Sequence, residues 1–228
     1  MSARRASRLA WSLWAATLGL VTISVVLYAT STRFLHGGSP YLLNLSVAAL
    51  GLSTVGALVA SRRPGNSVGW LFGVTGLLYG LTSFVGEYSL YAFFVPPEPL
   101  PAGLAALWIA SWLWILVGQM SLALFLFFPD GLLPSPRWRI VAALILVGIL
   151  TSSATFALKP GSLLETSGRG LPPVENPLAL EATGLLGLIE VVNVPLSVLM
   201  LAPFIALFVR YRRARGGERQ QIKWVAYA

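Results

Sequence analysis

The sequence predicts an all-α fold: a polytopic membrane helix bundle of six transmembrane helices, with the N and C termini cytoplasmic. Three observations carry that prediction. Of 228 residues, 56% are hydrophobic and only 11% charged, far from the makeup of a water-soluble domain. Uncharged runs of membrane-spanning length recur along the chain. One of them, the 25 residues Leu104 to Phe128, carries no formal charge. As a helix it would reach about 37 Å, enough to cross a bilayer with some tilt. Lastly, the cations alternate between loops in the pattern that fixes orientation in a membrane.

The elements follow in order. Arg4, Arg5 and Arg8 precede an apolar run from Leu9 to Thr30. A signal peptide would have an apolar core of about 7–15 residues ending in a small-residue cleavage site. This run is longer and no such site follows, so it reads as a retained first span (9–30), with Trp11 and Trp14 at the inner interface. Ser31 to Pro40 is an outer loop holding Arg33 and His36, and the second span covers 41–60. The basic, turn-forming loop Ser61 to Ser67 returns inside. The third span covers 68–86, and the outer loop 87–103 is broken by Pro96, Pro97, Pro99 and Pro101. Tyr88, Tyr91, Phe93 and Phe94 are expected on the outer surface of the bilayer.

The fourth and fifth spans, 104–128 and 140–158, flank Pro129-Asp130-Gly131, whose proline and glycine stop a helix and turn the chain. A long outer loop from Lys159 to Ala182 leads to the sixth span, 183–209. A basic tail, 210–228, follows with Arg210, Arg212, Arg213, Arg215, Arg219 and Lys223. On this layout thirteen of the 16 Lys and Arg residues lie inside, and only Arg33, Lys159 and Arg169 lie outside. After the tail, Trp224 to Ala228 turns apolar again, as a further span would begin. The chain is therefore expected to be part of a longer protein.

The net charge of +8 is explained by these helix ends and implies the lipid bilayer, not nucleic acid, as partner. With no cysteine and one histidine, thiolate and multi-histidine metal sites are excluded. No phosphate-binding loop, His-Glu-x-x-His helix or nucleophile elbow occurs. No cofactor, no metal and no catalytic residue are expected, and the chain does not read as an enzyme.

Two groups of residues stand out. Gly69, Gly73, Gly76, Gly80, Ser83 and Glu87 share one face of the third span, where small side chains let backbones approach closely. That face reads as a helix–helix seam within the bundle, with a homodimer seam through Gly69, Gly73, Gly76 and Gly80 as the alternative. Glu87 is expected at its outer end with access to water. In the sixth span, Glu190 and Asn193 lie on one face between the helix start and the kinks expected at Pro195 and Pro203. A carboxyl within a span costs about 3 kcal/mol to insert unless it is paired or protonated. Glu190, Asn193 and Glu87 are thus the candidate ligand-binding residues. The plainer reading of Glu190 is an interhelical hydrogen bond with Gln119 or Ser111.

Other features read more simply. Trp108, Trp112 and Trp114 form an outer aromatic belt in preference to a ligand cage. His36 has the chemistry of a pH sensor, with an unperturbed pKa of about 6.5, but a lone loop histidine is ordinarily just solvated. Asn44-Leu45-Ser46 matches a glycosylation sequon but lies within a span.

Three stretches together resemble the membrane-embedded amino-terminal half of actinobacterial-type sensor histidine kinases. They are Arg62-Arg63-Pro64-Gly65-Asn66-Ser67-Val68-Gly69-Trp70-Leu71-Phe72, then Phe128-Pro129-Asp130-Gly131-Leu132-Leu133-Pro134-Ser135-Pro136-Arg137-Trp138-Arg139, and finally Arg212 to Trp224. The chain departs from the pattern at Ser67, where proline is common, and at Leu132, where arginine is common. The resemblance spans essentially the whole chain. It implies a sensory input region in the plasma membrane, followed in the full protein by further spans and a cytoplasmic dimerisation and ATP-binding module. That module is absent from this sequence. A small transporter and an intramembrane enzyme are the competing readings. The first lacks paired broken helices and the second lacks a nucleophile–base or metal set.

Overall fold

A computed structural model describes residues 2–31, 41–95, 100–163, 173–180, 184–217 and 219–220. Seven α-helices account for most of them: α1 Ala3–Ser31, α2 Leu42–Arg62, α3 Ser67–Phe94, α4 Gly103–Ala123, α5 Trp138–Leu158, α6 Leu185–Val198 and α7 Ala202–Arg213. Single 3-10 turns, Leu124–Leu126 and Leu199–Leu201, follow α4 and join α6 to α7. There is no β-strand among the described residues, only an isolated bridge between Ser162 and Glu175. Six helical segments are long and apolar enough to cross a membrane, and α6 and α7 together make the sixth, Leu186–Arg213. The chain is a helical, multi-pass membrane protein.

The distribution of side chains matches lipid as the solvent. Outward positions carry large aliphatic residues: Leu43, Ile140, Val191 and Val194 are all about two-thirds exposed or more. Inward positions are small or hydroxylated, with Thr17, Ser24, Ser53, Ser83 and Ala49 nearly inaccessible. Against hydrocarbon there is no hydrophobic gain from burying leucine, so close backbone packing and hydrogen bonds decide which face turns inward.

The helices α1, α2 and α3 pack on one another, α4 joins α3 to α5, α6 lies on α5, and α7 returns against the 3-10 turn after α4. The glycine face of α3 makes the tightest seam. A Cβ on Gly69 would lie 2.6 Å from the Ala60 nitrogen, and one on Gly76 would lie 2.5 Å from the Ser53 nitrogen. A Cβ on Gly56 would strike the backbone of Gly73. Gly80 faces α1, 3.4 Å from Thr17 Cγ2. These four glycines therefore face α1 and α2 of the same chain, the seam within the bundle.

Helix ends differ from the expected ones for local reasons. α3 continues to Phe94 because nothing before Pro96 breaks it, so Tyr88, Tyr91 and Phe93 are helical residues. Trp108 Nε1 donates to Ala157 O (2.8 Å), tying α4 to the end of α5. Pro203 removes a backbone donor, and the helix passes through the 3-10 turn Leu199–Leu201 before restarting as α7. Pro195 stays inside α6. Beyond α5, the segment 173–180 folds back. The amide of buried Asn176 donates to Ala157 O and Lys159 O, both at 2.9 Å, and closes the end of α5.

The start of α1 packs with the end of α2 through Ala10, Ala57, Ala60, Trp14 and Trp70. The loops 63–66 and 127–137 and the end of α7 meet at that same end of the bundle.

Candidate functional site

The most highly connected polar arrangement joins those two loops to α7. It starts from helix periodicity: Pro203, Ala206 and Arg210 share one buried stripe of α7, while Arg212 and Arg213 point outward. Arg210, only 8% exposed, is carried into the bundle by this stripe. Its guanidinium meets the turn at the end of α4. Nη1 donates to Asp130 Oδ1 at 2.6 Å, and Nη2 donates to Leu126 O at 3.3 Å and to Leu132 O. Nε has no partner.

The turn is built to receive it. Pro129 ends the helical path, Gly131 N–H donates to Phe127 O (2.7 Å), and Leu132 N–H donates to Asp130 Oδ1 (3.1 Å). These bonds aim the carbonyl of Leu132 and the carboxylate of Asp130 at one point. Gly131 has φ +82° and lies against the start of α3. A Cβ there would come within 2.5 Å of Ser67 Oγ and 2.7 Å of Asn66 Oδ1. Glycine is required on both counts.

The α3 side closes the clamp. Asn66 caps α3 by accepting from Val68 N–H at 2.9 Å, and its Nδ2 donates to Pro129 O at 3.3 Å. Ser67 Oγ donates to Gly131 O at 2.8 Å, and Trp70 Nε1 donates to Pro64 O at 3.1 Å. The first two resembling stretches and the helix leading into the third are thus tied at one joint. Partial burial of Asp130 pushes its carboxyl upward. The hydrogen bond from Arg210, the Leu132 N–H and the Arg210 charge outweigh that and hold it below the usual carboxylate range. The joint has no nucleophile–base pair, and no group of three His, Asp or Glu suited to a metal occurs among the described residues. What the bonds do is fix α7 to the α4–α5 loop.

The residues singled out from sequence lie elsewhere and apart. Glu87 is on α3, two turns before its end, and is only 3% exposed. Glu190 is exposed on α6, and neither expected partner reaches it. Gln119 Oε1 accepts instead from Ser152 Oγ (2.9 Å), and Ser111 Oγ donates to Trp108 O of its own helix. Asn193 faces α5, accepting from Thr151 Oγ1 (2.6 Å) and donating to Thr155 Oγ1 (3.3 Å). α6 crosses α5 where Leu196 meets Gly148. Glu190 lies about 9 Å along α6 from that contact, on the side of the end of α5. Trp108 and Trp112 meet edge to face at 5.6 Å, whereas Trp114 points outward and is 55% exposed, so the three form no cage. His36 lies outside the described residues.

Sequence reasoning missed Arg210 as anything but a tail cation, and missed Asn66 and Asn176 as caps. The stripe Pro203, Ala206, Arg210 was the available signal. Compared with protein-family models, with curated proteins and with solved structures, the chain matches none.

Proposed function

We propose that this chain is the membrane-embedded input region of a two-component sensor histidine kinase of the plasma membrane, without the catalytic module and without enzymatic activity of its own. The observation that carries the reading is the clamp. The stretches that resemble such kinases are distant in sequence, yet Asn66, Ser67, Asp130, Gly131 and Arg210 form one hydrogen-bonded joint. A joint that fastens α7, the helix leading into the basic tail, to the rest of the bundle suits an input region, because on this reading the chain returns to the cytoplasm there. Both termini lie in the cytoplasm on this reading, as the distribution of arginines favours. Stimuli at the far end, where Glu190, Asn193 and Glu87 remain the candidate ligand-contacting residues, shift α6 and α7 against the clamp.

The test is to read the coding sequence past Ala228 and to assay its product. An in-frame cytoplasmic module that autophosphorylates on histidine is expected, with Asp130→Asn changing that output. A continuation without such a module, or output indifferent to Asp130→Asn and Arg210→Gln, would contradict it.

A further inference from the structure

We infer that the clamped end of the bundle is a binding surface for anionic phospholipid headgroups. The inference does not depend on the signalling role. Three pairs of exposed arginines stand there: Arg62 and Arg63 at the end of α2, Arg137 and Arg139 at the start of α5, and Arg212 and Arg213 at the end of α7. Each pair is a few residues from a member of the clamp, so three helices present their cations around one joint. Asp130 is the one described carboxylate at that end, and Arg210 already occupies it. The six outer arginines are therefore a positive field with no described internal counter-charge.

Their height in the bundle selects the ligand. Next to them the helices turn apolar and outward: Ile140 is 68% exposed and Phe208 is 59% exposed. A phosphate on the guanidinium forks can thus be joined to acyl chains lying against these side chains. A soluble anion would satisfy only the first half of that surface. Positive charge near a membrane surface also attracts anionic lipid without any shaped pocket.

The experiment uses the full chain in neutral detergent micelles, titrated with phosphatidylglycerol or phosphatidylcholine and read by native mass spectrometry. Phosphatidylglycerol should be retained about fivefold or more over phosphatidylcholine, the ratio worth one arginine at a membrane surface. The preference should shrink as salt rises. Replacing Arg62, Arg63, Arg137, Arg139, Arg212 and Arg213 together by glutamine should lower the ratio about fivefold or more, the worth of one arginine, and lysine at the same six positions should keep most of it. Equal retention of the two lipids by the wild-type chain would overturn the inference, whether or not the variants fold. So would a preference undiminished in the glutamine variant, or displacement of the lipid by inorganic phosphate at equal concentration.

Discussion

Arg210 shows what a single side chain decides in this protein. An arginine in the last turn of a membrane helix ordinarily faces water, yet this one is buried and spends two of its nitrogens on a carboxylate and two carbonyls. Lysine carries the same charge but not the fork, so Arg210→Lys should lose the contacts to Leu126 O and Leu132 O. Each lost hydrogen bond to a charged group is worth about 1.5–3 kcal/mol at most, and the half-exposed Asp130 lowers the share of its own pair. Because the Asp130 carboxyl is held below its ordinary value of 3.8, the pair stabilises the fold fully above that value. The contribution is lost as pH falls below it. Thermal midpoints in detergent should therefore drop in acid more steeply for the wild type than for Asp130→Asn, which lacks the titrating group. Parallel acid profiles would contradict this. In the sequence, Asp130 reads only as the middle of a turn and Arg210 as one of several tail cations. Their pairing spans 80 residues, and no local pattern records a partner at that distance.

At the scale of elements, close packing and polar seams make different predictions. The α2–α3 contact is backbone against backbone, so Gly76→Leu must force the helices apart. It should cost about 3 kcal/mol or prevent folding, the upper end for overpacking. Gly51 has open space at its Cβ position and the same change there should be tolerated. Fluorescence size-exclusion profiles after mild heating would separate the two. Asn193→Leu should be far gentler, about 0.6 kcal/mol, because Thr155 already donates to Thr151 O at 2.9 Å and the Thr151 hydroxyl can turn to Val147 O, 2.8 Å away. Glu190→Gln should leave stability unchanged, since that side chain is exposed; a clear loss would show a partner that the bundle alone does not supply. Helix existence was legible throughout, because apolar runs of this length have few alternatives in a membrane. Helix ends were not. The aromatic run Tyr88 to Phe93 reads as loop beyond the third span, whereas α3 continues to Phe94, and the cap at Asn66 is one side chain in a basic turn.

At the scale of the whole molecule, composition and charge placement carried the fold class, while the joint between distant loops needed coordinates. The account rests on one orientation: the clamped, arginine-bearing end inside and the ends holding residues 100–103 and 173–180 outside. The chain has no native cysteine, so single substitutions report cleanly. Ser61→Cys and Ser135→Cys belong to the clamped end, and Leu100→Cys and Leu178→Cys, at exposed residues, belong to the opposite one. A membrane-impermeant maleimide applied to intact cells should label the Leu100 and Leu178 variants. The Ser61 and Ser135 variants should react only after permeabilisation. Labelling of Ser135→Cys on intact cells, with Leu178→Cys protected, would invert the protein and remove the clamp from the cytoplasm.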